Sequence, residues 1–234
     1  MAASTATQPI SSLSLRDLKE TFGLLRDRSD PFFQHWLERV EGLSEYEHQA
    51  LARLKQNYEN IIETNPLEEV VKLVVVAPLL DLAGFYQPPF SIRTEVSTKL
   101  VVPEGDRTFA GNIDVLVVQQ RFWILVIESK QSRFDVMSGI PQALIYMLAQ
   151  SLADRKSGTE VTSDDDCGGS DRFGMVTNGR EVVFLKLTPG QLLMQGNTKQ
   201  TPIYSQSAVY QVIETEKDLT QILQGLKAIG QHLQ

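Results

Sequence analysis

A single cysteine, Cys167, stands among 234 residues, which excludes an internal disulfide framework and any cysteine-rich zinc site and fits a reducing cytoplasm. Histidine is nearly as scarce. His35, His48 and His232 never cluster, so neither a histidine-based metal site nor a histidine-dependent triad is expected. Basic residues are outnumbered, 22 Lys and Arg against 29 Asp and Glu for a formal net charge of -7. No global positive field is available to hold nucleic acid, and any such contact must be local or metal-assisted. Neither GxxxxGK[ST] nor a GxGxxG after a strand occurs, so no nucleotide cofactor is expected. Long apolar runs are missing too: "LVVVAPLL" at 73–80 is the longest without charge, well short of the ~20 residues that cross a bilayer. The opening "MAASTATQPISS" lacks the basic-then-apolar order of a secretory signal. The chain reads as a soluble cytoplasmic protein without a membrane partner.

What is present suffices for one substantial core, since 42% of the residues are hydrophobic. The first dozen residues are Ser/Thr/Ala-rich and expected to fray. "SLRDLKETFGLLRDR", "DPFFQHWLERVEGL" and "SEYEHQALARLKQNYENIIE" then repeat apolar residues three and four apart behind Ser or Asp caps, predicting helices up to about residue 64. "NPLEEVVKLVVVAPLLDLAGFYQPPF" predicts a buried helix with Asn65 as N-cap and Pro66 in its first turn, halted by Gly84 and Pro88-Pro89. From residue 91 the period falls to two, giving three strands through "SIRTEVSTKLVV", "TFAGNIDVLVV" and "FWILVIESK". A helix follows in "DVMSGIPQALIYMLAQSLADRK", with Pro141 in its first turn. Asn178-Gly179 predicts a hairpin, and a strand near 202–213 and an amphipathic helix close the chain. Asp164, Asp165 and Asp166 lack EF-hand spacing and read as a solvated loop. The fold class is α/β (α+β): a mixed central β-sheet flanked by helices, with residues 1–64 as a helical N-terminal extension packed on a core of residues 65–234.

Charge inside the strands is the unusual feature. Glu128 and Lys130, two apart, project to one side of the third strand with Ser129 opposite, and a short hairpin can bring Asp114 beside Glu128. Two carboxylates this close raise each other's pKa unless a cation intervenes. Magnesium accepts one or two protein carboxylates, keeps several waters and takes phosphate oxygens as further ligands. Lys130 then has the task of orienting water or stabilising charge on a phosphate, with proton acceptance as the alternative. An ion pair at a strand end beside a turn-closing Asp is the plainer reading of the same residues.

"GNID", "ESK" and "QALIY" resemble the PD-(D/E)XK nuclease superfamily, in the RecB-like branch with Gly-x-x-Asp, acid-x-Lys and Gln-x-x-x-Tyr motifs. The N-terminal nuclease domain of the type I restriction enzyme motor subunit is similar over about residues 66–190, including a later "TNG". The resemblance implies a restriction-endonuclease-like αβββαβ core and a Mg2+-dependent endodeoxyribonuclease, with Mn2+ able to substitute, in restriction or genome defence. It implies Asp114, Glu128 and Lys130 as catalytic residues, Glu68, Asp114, Glu128 and the Ser129 carbonyl as metal ligands, and Gln142 and Tyr146 as DNA-binding or supporting residues. Glu69 is the alternative to Glu68, and Glu95 on the first strand is a further candidate. Ile113 replaces the superfamily's proline, and the motor of type I enzymes is missing. The implied partners are DNA and a second copy of the chain or a separate motor or specificity subunit. A catalytically silent DNA-binding or regulatory protein on the same fold is the rival expectation.

Overall fold

After Pro89 the sequence trades helical spacing for alternation, and the molecule changes there from helices to sheet. A computed structural model describes residues 7–38, 40–101, 107–119, 122–156, 171–189 and 201–232; the Asp164–Asp166 run and Cys167 lie outside the described residues. Strands β3 (Phe90–Val101), β4 (Thr108–Gln119) and β5 (Phe122–Ser129) form an antiparallel meander. The helix of Ile140–Lys156 then carries the chain to β6 (Arg172–Thr177), which pairs parallel to β5. Asn178-Gly179 turns β6 into antiparallel β7 (Glu181–Thr188), with Gly179 at a φ of 85° as that turn requires. Ile203–Gln206 and Tyr210–Gln211 add further antiparallel pairing to β7, and Glu216–His232 is the closing helix. The sheet is mixed, and helices cover both faces. The closing helix and those between residues 32 and 82 share one core cluster, and the Ile140–Lys156 helix shares the other with the helix Leu15–Phe22.

The N-terminal region departs from expectation. It contains the helices Leu15–Phe22, Phe32–His35 and Glu45–Ile62, the first and last opened by Ser14 and Ser44 capping boxes. It also contributes two short strands. Thr7–Pro9, here β1, pairs parallel with Thr108–Ala110, and Leu25–Arg26, β2, pairs parallel with Ile203–Tyr204. Residues 7–12 therefore do not fray, and Ile10 is fully buried. Behind β2, Asp30 accepts a 2.7 Å hydrogen bond from the Ser205 hydroxyl and pairs with Lys186 at 3.0 Å, tying the segment to the sheet.

The apolar helix expected after residue 65 is also corrected. Asn65 does not cap it: its φ is 51°, and Leu67 holds the N-cap position. Helix Glu68–Val71 passes through a π turn, Lys72–Val76, into helix Ala77–Leu82. Pro78 explains the wide turn, since it has no N–H to give the Val74 carbonyl one turn back and its ring crowds that carbonyl. The helix is not buried all round, for Leu73 is 71% exposed. Among the described residues no helix is long and apolar enough to cross a membrane.

Candidate active site

The site lies where β4 parts from its neighbours. One edge of β4 is taken by β3 along nearly its whole length, while the other receives β1 at Thr108–Ala110 and β5 at Val115–Gln119. Between those two, Gly111–Asp114 have no paired residue on that edge among the described residues. Side chains complete the gap. The Ser129 amide and hydroxyl donate to Asp114 Oδ2 at 2.7 and 3.1 Å, and the Tyr146 hydroxyl donates to the Asn112 carbonyl at 2.8 Å.

A β-bulge sets the register. Val118 pairs with Trp123 but Val117 with Leu125, so Ile124 is the extra residue and, further on, Asp114 comes across from Glu128. Without that residue Asp114 would sit across from Ile127, since a one-residue slip exchanges the faces. On the other side of β4, Glu95 holds the place opposite Asp114, between the pairs Thr94 with Val115 and Val96 with Ile113. Its φ of 51° is a left-handed conformation rarely adopted by a residue with a side chain. Face alternation slips at the same point: Ile113 joins the core cluster of Leu116 and Val118, and Val115 joins the other.

Glu128 is 1% exposed and Asp114 9%. Lys130 Nζ donates to Glu128 Oε1 at 2.6 Å and to Gln142 Oε1 at 3.0 Å, so acid and amine share a side of the strand. Gln142 Nε2 donates in turn to the Tyr146 hydroxyl at 3.2 Å, which extends the chain of contacts to Asn112. Glu128 Oε2 is buried and receives no hydrogen bond. Burial pushes the Glu128 carboxyl up to about 8, helped by the charges of Asp114 and Glu68 and opposed by Lys130. Burial likewise raises Tyr146, with Glu128 and Asp114 adding to it against the Gln142 hydrogen bond.

Two glycines allow this approach of helix to strand. A Cβ on Gly111 would lie 2.6 Å from the Tyr146 hydroxyl and 3.1 Å from Ile10 Cβ, and one on Gly139 would lie 2.6 Å from Val176 Cγ1 and 3.4 Å from Glu128 Cγ. Gly111→Ala is expected to destabilise the fold by about 1–3 kcal/mol in chemical denaturation, because the hydroxyl is held between strand and helix. Unchanged stability would mean that Tyr146 has room to retreat.

Of the two adjacent acids on the helix of Glu68–Val71, Glu68 turns toward the cluster. It is partly buried, and its carboxyl is raised by burial and by Asp114 against the pull of Lys130 and Lys72; Glu69 is exposed. Lys72 was not singled out in the sequence. Its Nζ lies 2.8 Å from Glu95 Oε1 and 3.6 Å from Asp114 Oδ1. The only sequence signal for it is a single cation, four residues after Glu68, in a largely apolar helix.

Among the described residues no group of three or more His, Cys, Asp or Glu is arranged to hold a metal ion. A set of two carboxylates, Asp114 and Glu128, completed by oxygens that are not carboxylates, still suits magnesium, which keeps several of its waters. Two features of the molecule fit such an ion: the orphaned Glu128 Oε2, and the charge of the cluster. When all are ionised, Glu68, Glu95, Asp114 and Glu128 leave two negative charges after Lys72 and Lys130 are counted.

No protein-family model and no curated protein matches the chain. Among solved structures, it is similar to a fragment described as the HsdR subunit of a type I restriction enzyme from Vibrio vulnificus YJ016, at 23% identity and a TM-score of 0.34. The match covers 51% of this chain and 21% of that one, so the chain spans about a fifth of its neighbour's length.

Proposed function

We propose that the chain is a Mg2+-dependent endodeoxyribonuclease of the PD-(D/E)XK type, serving restriction or genome defence. The observation that carries this reading is a buried carboxylate with an unbonded oxygen, Glu128, across from a second acid and 2.6 Å from a lysine. Asp114, Glu128 and the Ser129 carbonyl are the groups that would hold magnesium, with Glu68, whose charge acts on both strand acids, as the further carboxylate. The chemistry the ion supplies when bound is charge for the phosphate and a lowered pKa for water.

The chain's own residues have distinct tasks in this reading. Lys130 stabilises the negative charge that builds on the phosphate oxygens as water attacks in line. Gln142 fixes the position of the Lys130 ammonium at 3.0 Å, and Tyr146 fixes Gln142 while anchored on the Asn112 carbonyl. Ser129 orients Asp114 through two hydrogen bonds to one oxygen, leaving Oδ1 for another partner. Double-stranded DNA is the proposed substrate. With a net charge of -7, sustained DNA binding calls for a second copy or a separate motor or specificity subunit.

A second reading, a DNA-binding or regulatory protein that does not cleave, is favoured by one observation: both strand acids already have ammonium partners, and no three acids among the described residues are arranged to hold a metal ion. Nicking of supercoiled DNA separates the two. The nuclease converts it to open circles with Mg2+ or Mn2+ and not with a chelator. If no DNA form is cut with either ion, the nuclease reading fails and the binding protein takes its place.

A further inference from the structure

Lys72 meets the site from an unusual combination of backbone features. It is the first residue of the π turn Lys72–Val76, a geometry frequent at functional sites. Its partner Glu95 is the residue whose strand backbone turns left-handed directly opposite Asp114, a conformation that persists only where the surroundings enforce it. The Lys72 side chain is 18% exposed, so its ammonium stands at the rim rather than in the core.

The two distances differ in kind. At 2.8 Å the bond to Glu95 is a full charge-assisted hydrogen bond, whereas 3.6 Å to Asp114 Oδ1 is Coulombic contact without one. Asp114 Oδ2 is already bonded by Ser129, so Oδ1 is the oxygen left for an incoming cation. Lys72 faces that oxygen.

Resting on the metal-dependent reading of this site, we propose that Lys72, clamped by Glu95, is the resident counter-cation of Asp114, and that a divalent ion must displace it from that carboxylate to bind. The Glu95 bond survives the exchange, and only the looser contact is lost. Lys72 thereby acts as a positioning residue. It keeps the ion-free acid compensated, and it weakens the site's hold on free magnesium by placing a like charge beside the ion. The ion is then held best when a phosphate adds its own negative charge to the site, which couples metal occupancy to the presence of DNA.

Calorimetric titration of Mg2+ and Mn2+ into the full chain tests this, with thermal melts showing that each variant is folded. Lys72→Met is expected to bind the ions on the order of tenfold more tightly, since a positive charge a few ångströms away is removed, while Lys72→Arg stays near the wild-type affinity. Lys72→Gln is the second neutral variant, with the same expected gain, should the methionine variant fold poorly. A loss of packing alone weakens binding and does not tighten it. If wild type binds the ions and Asp114→Asn does not, yet the neutral Lys72 variants bind no more tightly than wild type, the counter-cation role is wrong and the metal site stands. If wild type binds neither ion, or Asp114→Asn binds as wild type does, the metal site itself is wrong and this inference goes with it.

Discussion

Lys130→Ala is expected to slow magnesium-supported DNA cleavage by roughly 10²–10³-fold, the range found when one preorganised donor to a developing anion is removed. The ammonium is held from two sides, by Glu128 Oε1 at 2.6 Å and Gln142 Oε1 at 3.0 Å. A freely moving surface lysine would gain little from such anchoring, whereas a group that meets a phosphate in one geometry gains its effect from being preorganised. Magnesium affinity should not fall in this variant, because the group removed is a cation. The fold should also survive at pH 7, because Glu128, raised to about 8, is already largely protonated there and leaves no bare buried charge when its partner is lost. The measurement is the rate of open-circle formation from supercoiled DNA at saturating magnesium. Cleavage at the wild-type rate would reduce Lys130 to an ion-pair partner. Arginine is not expected to rescue, because its planar fork does not reproduce a point charge between a carboxylate and an amide oxygen.

Glu128→Gln should abolish cleavage and make the ion-free protein more stable, by an amount that depends on pH. Burial raises the folded-state pKa of Glu128 from an ordinary 4.5 to about 8, so between those values the folded chain keeps a proton that the unfolded chain has released. Stability contributed by this group is therefore fully present below about pH 4.5 and is lost as pH rises toward 8. The shift corresponds to a penalty on the order of 3–5 kcal/mol above pH 8. Glutamine resembles the protonated acid and carries no such penalty. Denaturation with a chelator present should show the variant gaining that much over wild type at pH 9 and almost nothing at pH 5. Equal differences at the two values, or a less stable variant at pH 9, would mean that Glu128 is not strained by its burial. Added magnesium should narrow the gap at pH 9 by stabilising wild type alone, in proportion to its binding.

The parts of this architecture written in local chemistry were legible in the sequence. Asn178-Gly179 marks its hairpin because only certain residues accept that turn, and Ser44 with Glu47 marks the start of a helix by reciprocal hydrogen bonds. Alternation announced β3, β4 and β5, and the two-residue spacing put Glu128 and Lys130 on one side. The parallel pairings of Thr7–Pro9 and Leu25–Arg26 were hidden, because strands of three and two residues have no period to detect. Lys72 and the posture of Glu95 were hidden for a related reason. They depend on a π turn forced by Pro78 and on a strand register set by Ile124, and neither is a property of the neighbouring residues' types. The glycine of "GNID" was visible as a motif, but its cause, the hydroxyl of a tyrosine 35 positions later, needed three dimensions.

The opening along β4 is framed on one side by Thr7–Pro9 and on the other by β5. Its jambs thus come from stretches more than a hundred positions apart, and the doorway has a width only once both are hung. Pairing over such a span forms late in a folding chain. A ribosome-bound or half-folded copy therefore carries the acids and the lysine before the two strands that frame them have met.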